Sequence, residues 1–225
     1  MKKFVLFLSF FFPFFIAAQS YDVIINLGRD CQVAYQLNIN GLRKYALPFD
    51  SLITPYQALL GMLENKFEGF LDPDNFELVV NEQGEKYILD KKYGARLIHD
   101  CKLQADFLDD YEIVAIKYQR RIDRLIDLIT MSDNPIFIRK GITQEQAQQL
   151  RDLLRDIRQG RPFLLVALCD DMQEMVFDWH IDSVAHYYLR QPEPYSWKGD
   201  PLAWQEIFND LGLEMCDARY SSNED

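Results

Sequence analysis

Apolar and polar positions form short blocks along the chain, and the character of these blocks predicts both strands and helices. The apolar run Val23 to Leu27 ends at Gly28, which is typical of a buried strand that enters a turn. The runs Pro135 to Arg139 and Phe163 to Leu168 have the same apolar character. We therefore expect buried strands at these three places.

Apolar residues at steps of three and four predict amphipathic helices between these runs. The longest such stretch extends from Asp109 to Met131. A second helix is expected to begin at Thr143, which forms a capping box with Gln146, and to join the runs at 135–139 and 163–168. A strand, a helix and a strand in this order pair in parallel through a right-handed crossover. The sequence thus predicts an α/β protein, with a mixed, partly parallel sheet covered by helices in a single domain.

Shorter signals fill the intervening segments. Asp30 is a suitable N-cap and Gly41 a suitable stop for a helix directly after Gly28. Residues 48–50 are expected to form a loop, residues 56–63 a short helix, and residues 76–89 two strands around a turn. The first of these helices would carry Cys31 in its first turn.

The N-terminus has the layout of a secretory signal peptide. Two lysines precede an apolar run from Phe4 to Ala18, which is too short for a transmembrane helix of about 20 residues. We expect cleavage after Ala18, a domain over residues 19–220 and a disordered acidic tail at 221–225. The mature protein would be exported, periplasmic or secreted, without a stable membrane anchor.

Charge limits the classes of partner. Removal of residues 1–18 leaves 22 basic and 35 acidic residues, a net charge of −13 in place of −11. An acidic chain repels phosphate backbones, so nucleic acid is excluded as an expected partner. The four cysteines are 70, 68 and 47 residues apart, which is not a metal-ligand spacing and leaves three disulfide pairings open. We expect neither a metal nor a cofactor.

Cys31 is the strongest candidate nucleophile. A thiol in the first turn of a helix lies at the positive end of the helix dipole, which favours the thiolate. The alternative is that Cys31 fills a small space in the core, as free cysteines often do. A thiol nucleophile needs an imidazole as its base, and the chain offers His99, His180 and His186.

Other polar residues have two interpretations each. Asp50 could orient a base or could cap the turn that follows it. Arg120, Arg121 and Arg139 could hold a carboxylate or phosphate of a ligand, whereas Arg120 and Arg121 could instead form ion pairs with acidic residues on their own helix.

Several blocks in a fixed order carry a resemblance to a known family. These blocks are Ile25 to Cys31, Leu42 to Asp50, Tyr93 to Asp100, Lys117 to Ile122 and Ile136 to Arg139. Through them the chain resembles the bacterial family described as putative papain-like cysteine peptidases.

The resemblance implies a catalytic dyad. Cys31 would be the nucleophile and His99 its general base, with Asp50 or Asp100 as the orienting carboxylate. The backbone N–H of Cys31 is the expected oxyanion donor, and the Asn26 side chain is an alternative. The expected reaction is thiol acyl transfer on a peptide or amide substrate.

A different class of function also fits the sequence. Arg120, Arg121 and Arg139, with the tryptophan-rich C-terminal part, could form a non-catalytic module that binds a sugar or an anionic group. A third possibility is an acyltransferase that uses the same dyad with another acceptor. A Cys31 sulfur within about 4 Å of a His99 ring nitrogen in an open cleft would favour the enzyme, whereas a buried or disulfide-bonded Cys31 would exclude it.

Overall fold

The strands form two separate sheets. The computed structural model describes residues 21–99, 111–169, 179–192 and 194–214. Within these ranges the strands are β1 (Ile24–Asn26), β2 (Leu52–Ile53), β3 (Phe76–Val80), β4 (Lys86–Asp90), β5 (Arg96–Leu97), β6 (Ile136–Lys140), β7 (Leu164–Cys169) and β8 (Val184–Tyr188).

The first sheet is parallel and has the strand order β1-β6-β7-β8. Every residue of β6 is buried, because its two sheet neighbours and the helices on both faces cover it. The strand β6, the helix that follows it and β7 form the β-α-β unit that the sequence predicts.

The second sheet is antiparallel and has the order β2-β5-β4-β3. The strands β3 and β4 form the hairpin predicted over residues 76–89, and tight turns of this kind permit only antiparallel pairing. The α/β class and the single domain are confirmed. The parallel and antiparallel strands lie in two sheets because the antiparallel set is one insertion between the first helix and β6.

Helices cover both faces of the parallel sheet. They are α1 (Gln32–Ile39), α2 (Tyr56–Glu64), α3 (Tyr111–Met131), α4 (Gln144–Ile157) and α5 (Pro201–Asp210), with short 3₁₀ turns at Pro48–Asp50 and Pro73–Asn75. The capping box of Thr143 and Gln146 is present at the start of α4. The helix predicted from Asp109 is confirmed from Tyr111 onward.

The two helices that follow β1 and β6 pack on opposite faces of the sheet. The apolar side of α4 packs with Phe137 in one core cluster, whereas Val33 and Leu37 of α1 pack with Ile138 in the other. Adjacent parallel strands whose following helices diverge in this way leave a crevice at their carboxyl ends, where open α/β sheets bind ligands. In this fold that position is at the carboxyl ends of β1 and β6.

Some expectations fall on residues outside the described ranges. These are the signal peptide over residues 1–18, the tail at 221–225, Asp100, Cys101 and Cys216. In the part of the chain that the structure describes, no helix is long and apolar enough to span a membrane.

A buried carboxyl makes the stability of the fold depend on pH. Asp90 is fully buried at the β4–β5 turn, and burial raises its pKa from 3.8 to about 6. The folded state therefore binds more protons than the unfolded state between about pH 4 and pH 6, so stability rises as the pH falls through that window. Relative to Asp90→Asn, the wild type should gain about 3 kcal/mol of unfolding free energy between about pH 7 and pH 4.

Urea unfolding at a series of pH values measures this difference. The exposed Asp74→Asn substitution serves as the control and should leave the difference from wild type flat. A flat difference for Asp90→Asn as well would contradict the assignment of the titration to Asp90.

Candidate active site

A tight turn connects β1 to α1 and presents Cys31. Gly28 and Arg29 both have positive φ, at 80° and 90°, and the second value is unusual for a residue with a side chain. A Cβ on Gly28 would lie 3.3 Å from the Cβ of Phe49, so the turn also needs glycine for space. Cys31, and not Asp30 as predicted, occupies the N-cap position of α1, one residue before its first turn. The Asp30 carboxylate accepts the backbone N–H of Gln32 at 3.0 Å from the position before the N-cap.

Side chains beneath the turn hold its shape. The side-chain oxygen of Asn26 accepts the backbone N–H of Gly28 at 2.8 Å, and the side-chain nitrogen of Asn26 donates to the Asp50 carboxylate at 3.1 Å. The backbone N–H of Thr54, directly after β2, donates to the carbonyl of Arg29 at 3.0 Å. The Asn26 amide thus supports the turn, which favours the backbone N–H of Cys31 as oxyanion donor.

Both carboxylate oxygens of Asp50 are engaged inside the fold. One accepts from Asn26, and the other forms an ion pair with Arg43 at 2.8 Å and accepts the backbone N–H of Leu47 at 2.9 Å. These contacts make Asp50 the cap of the 3₁₀ turn Pro48–Asp50, and not of the turn that follows it, as the sequence suggested. Asp100, the other candidate for the orienting carboxylate, lies outside the described residues.

Asp50→Asn tests whether Asp50 is structural. The substitution should lower the unfolding free energy by about 2 kcal/mol, because the charge-assisted bond to Arg43 is lost while Asn26 keeps an acceptor. The alkylation rate of Cys31 should change by less than about 3-fold, because a structural carboxylate does not act on the base. Urea unfolding and timed iodoacetamide labelling measure the two effects. Asp127→Asn, on the exposed face of α3, is the control, and a large loss of labelling in Asp50→Asn alone would assign Asp50 a catalytic role.

Positive charge surrounds the turn. Arg139, at the end of β6, is 1% exposed and donates to the carbonyls of Leu27 and Thr54, each at 2.9 Å. Burial, with the neighbouring Arg29 as a second cause, lowers the pKa of Arg139 to about 10. Burial also lowers the pKa of Lys140, which forms an ion pair with the Asp30 carboxylate at 2.8 Å. Arg139 and Lys140 thus place positive charge beside the turn that carries Cys31, near the N-terminus of α1.

The two cysteines that the structure describes differ in access to solvent. Cys31 is half-buried, whereas Cys169 at the end of β7 is 8% exposed and donates its S–H to the carbonyl of Ile142 at 3.3 Å. Burial raises the pKa of Cys169 to about 11. Of these two, only Cys31 has the access that a nucleophile needs.

The three histidines lie in different parts of the fold. His180 precedes β8 and His186 lies on it. The strands β1 and β8 form opposite edges of the parallel sheet, about 14 Å apart at normal strand spacing. His186 also stacks on Trp179 with 4.5 Å between ring centroids. His99 is exposed and follows β5, the strand that pairs with β2 beside the Cys31 turn.

The register of β5 gives the direction of the chain toward His99. Leu97 pairs with Leu52 and Arg96 with Ile53, so the chain after Leu97 continues along Ser51 toward Asp50. The segment Asp50 to Thr54 has two ends. Asp50 at one end is bonded to Asn26, and Thr54 at the other end donates its backbone N–H to the carbonyl of Arg29. The pairing of the Cys31 thiol with the His99 imidazole stays a prediction.

The arginine candidates lie on different elements and have different partners. Arg120 lies on the exposed face of α3, beside a shallow depression of about 550 Å³. Arg121 is buried, donates to the Ser51 hydroxyl at 3.2 Å and lies over the Tyr118 ring. Arg139 lies inside the fold under the Cys31 turn.

The ion pair between Lys140 and the Asp30 carboxylate was not predicted from the sequence. The signal for Lys140 is its position at the carboxyl end of the apolar β6 strand, next to Arg139. No group of three metal-ligating side chains converges within the ranges that the structure describes.

Comparisons with known proteins identify the family of the chain. The family model described as "Putative papain-like cysteine peptidase (DUF1796)" matches residues 22–163, and the chain belongs to this family. The chain is also 27% identical over 215 residues to "Uncharacterized protein R408" of Acanthamoeba polyphaga mimivirus, a match that covers 82% of this chain and 96% of the viral protein. No solved structure matches the chain.

Proposed function

We propose that the protein is a cysteine hydrolase that cleaves a peptide or amide bond with Cys31 as its nucleophile. The observation that carries this proposal is the half-buried thiol of Cys31 at the start of α1, on a strained turn at the carboxyl ends of β1 and β6, where open α/β sheets bind ligands. The description of the family to which the chain belongs, "Putative papain-like cysteine peptidase", supports the same chemistry.

The reaction proceeds by acyl transfer through a thioester. His99 removes the proton of the Cys31 thiol, and the thiolate attacks the carbonyl carbon of the substrate. The backbone N–H at the start of α1 stabilises the oxyanion of the tetrahedral intermediate. The protonated His99 gives its proton to the leaving amine, and a water then attacks the thioester and releases the acid and the thiol. Asp100, next to His99 in the chain, orients the imidazole.

The environment of the turn supports a reactive thiol. Arg29, Arg139 and Lys140 lie around it, Lys140 is paired with the Asp30 carboxylate, and the Asp50 carboxylate is bonded to Asn26 beneath the turn. Since Arg139 is held by two backbone carbonyls in the interior, the geometry favours its use as a support for the turn over its use as a ligand-binding group.

The N-terminal leader favours an exported enzyme. Cleavage after Ala18 places the mature chain in the periplasm or outside the cell, with a net charge of −13. A strongly acidic enzyme attracts cationic peptides, leaves the approach of neutral peptides unaffected and repels polyanions.

A screen of fluorogenic peptidyl amides with the mature protein of residues 19–225 tests the proposal. We expect hydrolysis of at least one member of the panel, together with complete loss of this hydrolysis after one equivalent of iodoacetamide has alkylated Cys31. Hydrolysis that persists after alkylation of Cys31 would mean that another group carries the activity.

A further inference from the structure

We propose that the loop at residues 194–199, here called the Trp197 loop, forms one wall of the substrate site and accepts an aromatic side chain of the substrate next to the scissile bond. This inference rests on the proposed hydrolase function. It adds a substrate class to that function and assigns specificity to residues outside the region 22–163 that the family model matches.

Glutamine side chains of α1 fasten the Trp197 loop to the helix that begins at Cys31. The Gln32 amide donates to the carbonyl of Trp197 at 2.9 Å, and the Gln36 amide donates to the carbonyl of Lys198 at 2.6 Å. Gln32 and Gln36 are one helical turn apart and therefore lie on one face of α1. Both side chains are almost fully buried by this contact.

The loop approaches α1 so closely that glycine is required at position 199. Gly199 has a φ of 80°, and a Cβ there would lie 2.8 Å from the amide carbon of Gln32 and 2.8 Å from the indole nitrogen of Trp204. Any larger residue would displace the loop from the helix. The loop is therefore a fixed wall of the site.

Aromatic rings lie on this wall near the thiol. Tyr35 is four residues after Cys31, about 6 Å along the helix, and its backbone N–H donates to the carbonyl of Cys31 at 3.0 Å. The Trp197 ring packs edge-on against Tyr35 with 5.1 Å between centroids. Cys31, Tyr35 and Trp197 thus follow one another along the same side of α1.

The Trp197 ring is partly exposed. Trp197 is 52% exposed although its ring contacts Tyr35, and the Lys198 ammonium lies over both rings, 5.9 Å from the Trp197 centroid and 5.5 Å from the Tyr35 centroid. The exposed part of the indole is the surface that a ligand would contact. An exposed indole next to a phenol ring favours a flat, apolar partner that stacks or packs edge-on. An aromatic side chain of the substrate fits this surface.

Two peptidyl chloromethyl ketones that differ only in one side chain test the inference. The thiolate of Cys31 attacks the methylene carbon of each probe, a C–S bond forms and chloride leaves. We expect the wild type to react about 10-fold faster with N-acetyl-phenylalanyl chloromethyl ketone than with the alanyl probe, and Trp197→Ala to reduce this ratio below about 2-fold. Trp197→Tyr, which keeps an aromatic ring, should retain most of the preference.

Iodoacetamide, which has no side chain, separates substrate recognition from thiol reactivity. Its rate at Cys31 should be the same in wild type and in all variants, and Tyr45→Ala, at an exposed aromatic residue that contacts Arg124, should keep the phenylalanyl preference. Mass spectrometry of the adducts assigns each label to its cysteine.

The possible outcomes distinguish this inference from the proposed function. If the wild type labels at Cys31 without a phenylalanyl preference, or if the preference survives in Trp197→Ala, the inference is wrong while the hydrolase proposal stands. If iodoacetamide and both ketones fail to select Cys31, the proposed function and this inference fail together. Loss of preference in both Trp197→Ala and Trp197→Tyr would contradict the role of the aromatic ring.

Discussion

Replacement of Cys31 by alanine is expected to lower kcat/KM for peptidyl amide hydrolysis by at least about 1,000-fold, because no thioester can form without the nucleophile. Fold and stability should change little, since the Cys31 side chain is half-buried and the turn is held by Asn26, Thr54 and Arg139. Steady-state kinetics on the best substrate of the peptidyl amide screen measure the effect, and circular dichroism verifies the fold.

Cys169→Ser is the matched control for this prediction. The serine hydroxyl can donate to the carbonyl of Ile142 as the thiol does, and Cys169 lies outside the proposed machinery. Its kcat/KM should stay within about 2-fold of wild type. Residual activity in Cys31→Ala above about one tenth of the wild-type value would contradict a nucleophilic role of Cys31.

Replacement of Arg139 by methionine should lower the unfolding free energy by about 3 kcal/mol. Methionine fills a similar volume, but it leaves the carbonyls of Leu27 and Thr54 buried without their donors. Urea unfolding monitored by tryptophan fluorescence measures the loss. Arg139→Lys should recover only part of it, because an ammonium group cannot reproduce the two-pronged geometry of a guanidinium.

Arg120→Met provides the control for Arg139. Arg120 is exposed on α3, and its replacement should change the unfolding free energy by less than about 0.5 kcal/mol. Equal effects of the two substitutions would mean that the bonds of Arg139 to the Cys31 turn contribute little to stability.

Much of the fold follows from local signals in the sequence. The apolar runs at β1, β6 and β7 are long enough to identify buried strands, and the capping box of Thr143 with Gln146 marks the start of α4. The position of Cys31 at the start of α1 also follows from its neighbours, a strand, a glycine turn and the Asp30 acceptor. These features depend on residues that are close in the sequence.

Contacts between distant segments could not be predicted in the same way. The strands β2 and β5 have only two residues each, and their pairing depends on the chain returning beside the Cys31 turn. The charge of Arg139 led to the prediction of ligand binding. Because side chains alternate along β6, Arg139 lies on the same face of the sheet as Phe137, inside the fold. The docking of the Trp197 loop on α1 joins residues 165 positions apart, and the sequence contains no local signal for it.

Alkylation of Cys31 in wild type and in His99→Ala is the most direct test of the proposed catalytic dyad. An isolated thiol is only about 0.1% ionised at about pH 5.5, whereas a thiolate paired with an imidazolium is largely ionised there. We predict that iodoacetamide labels Cys31 in preference to Cys169 at this pH, and that His99→Ala slows the labelling by about 10-fold, after allowance for the lower nucleophilicity of an acidic thiol. Equal rates in wild type and His99→Ala, with the pH dependence of an ordinary thiol, would contradict the dyad.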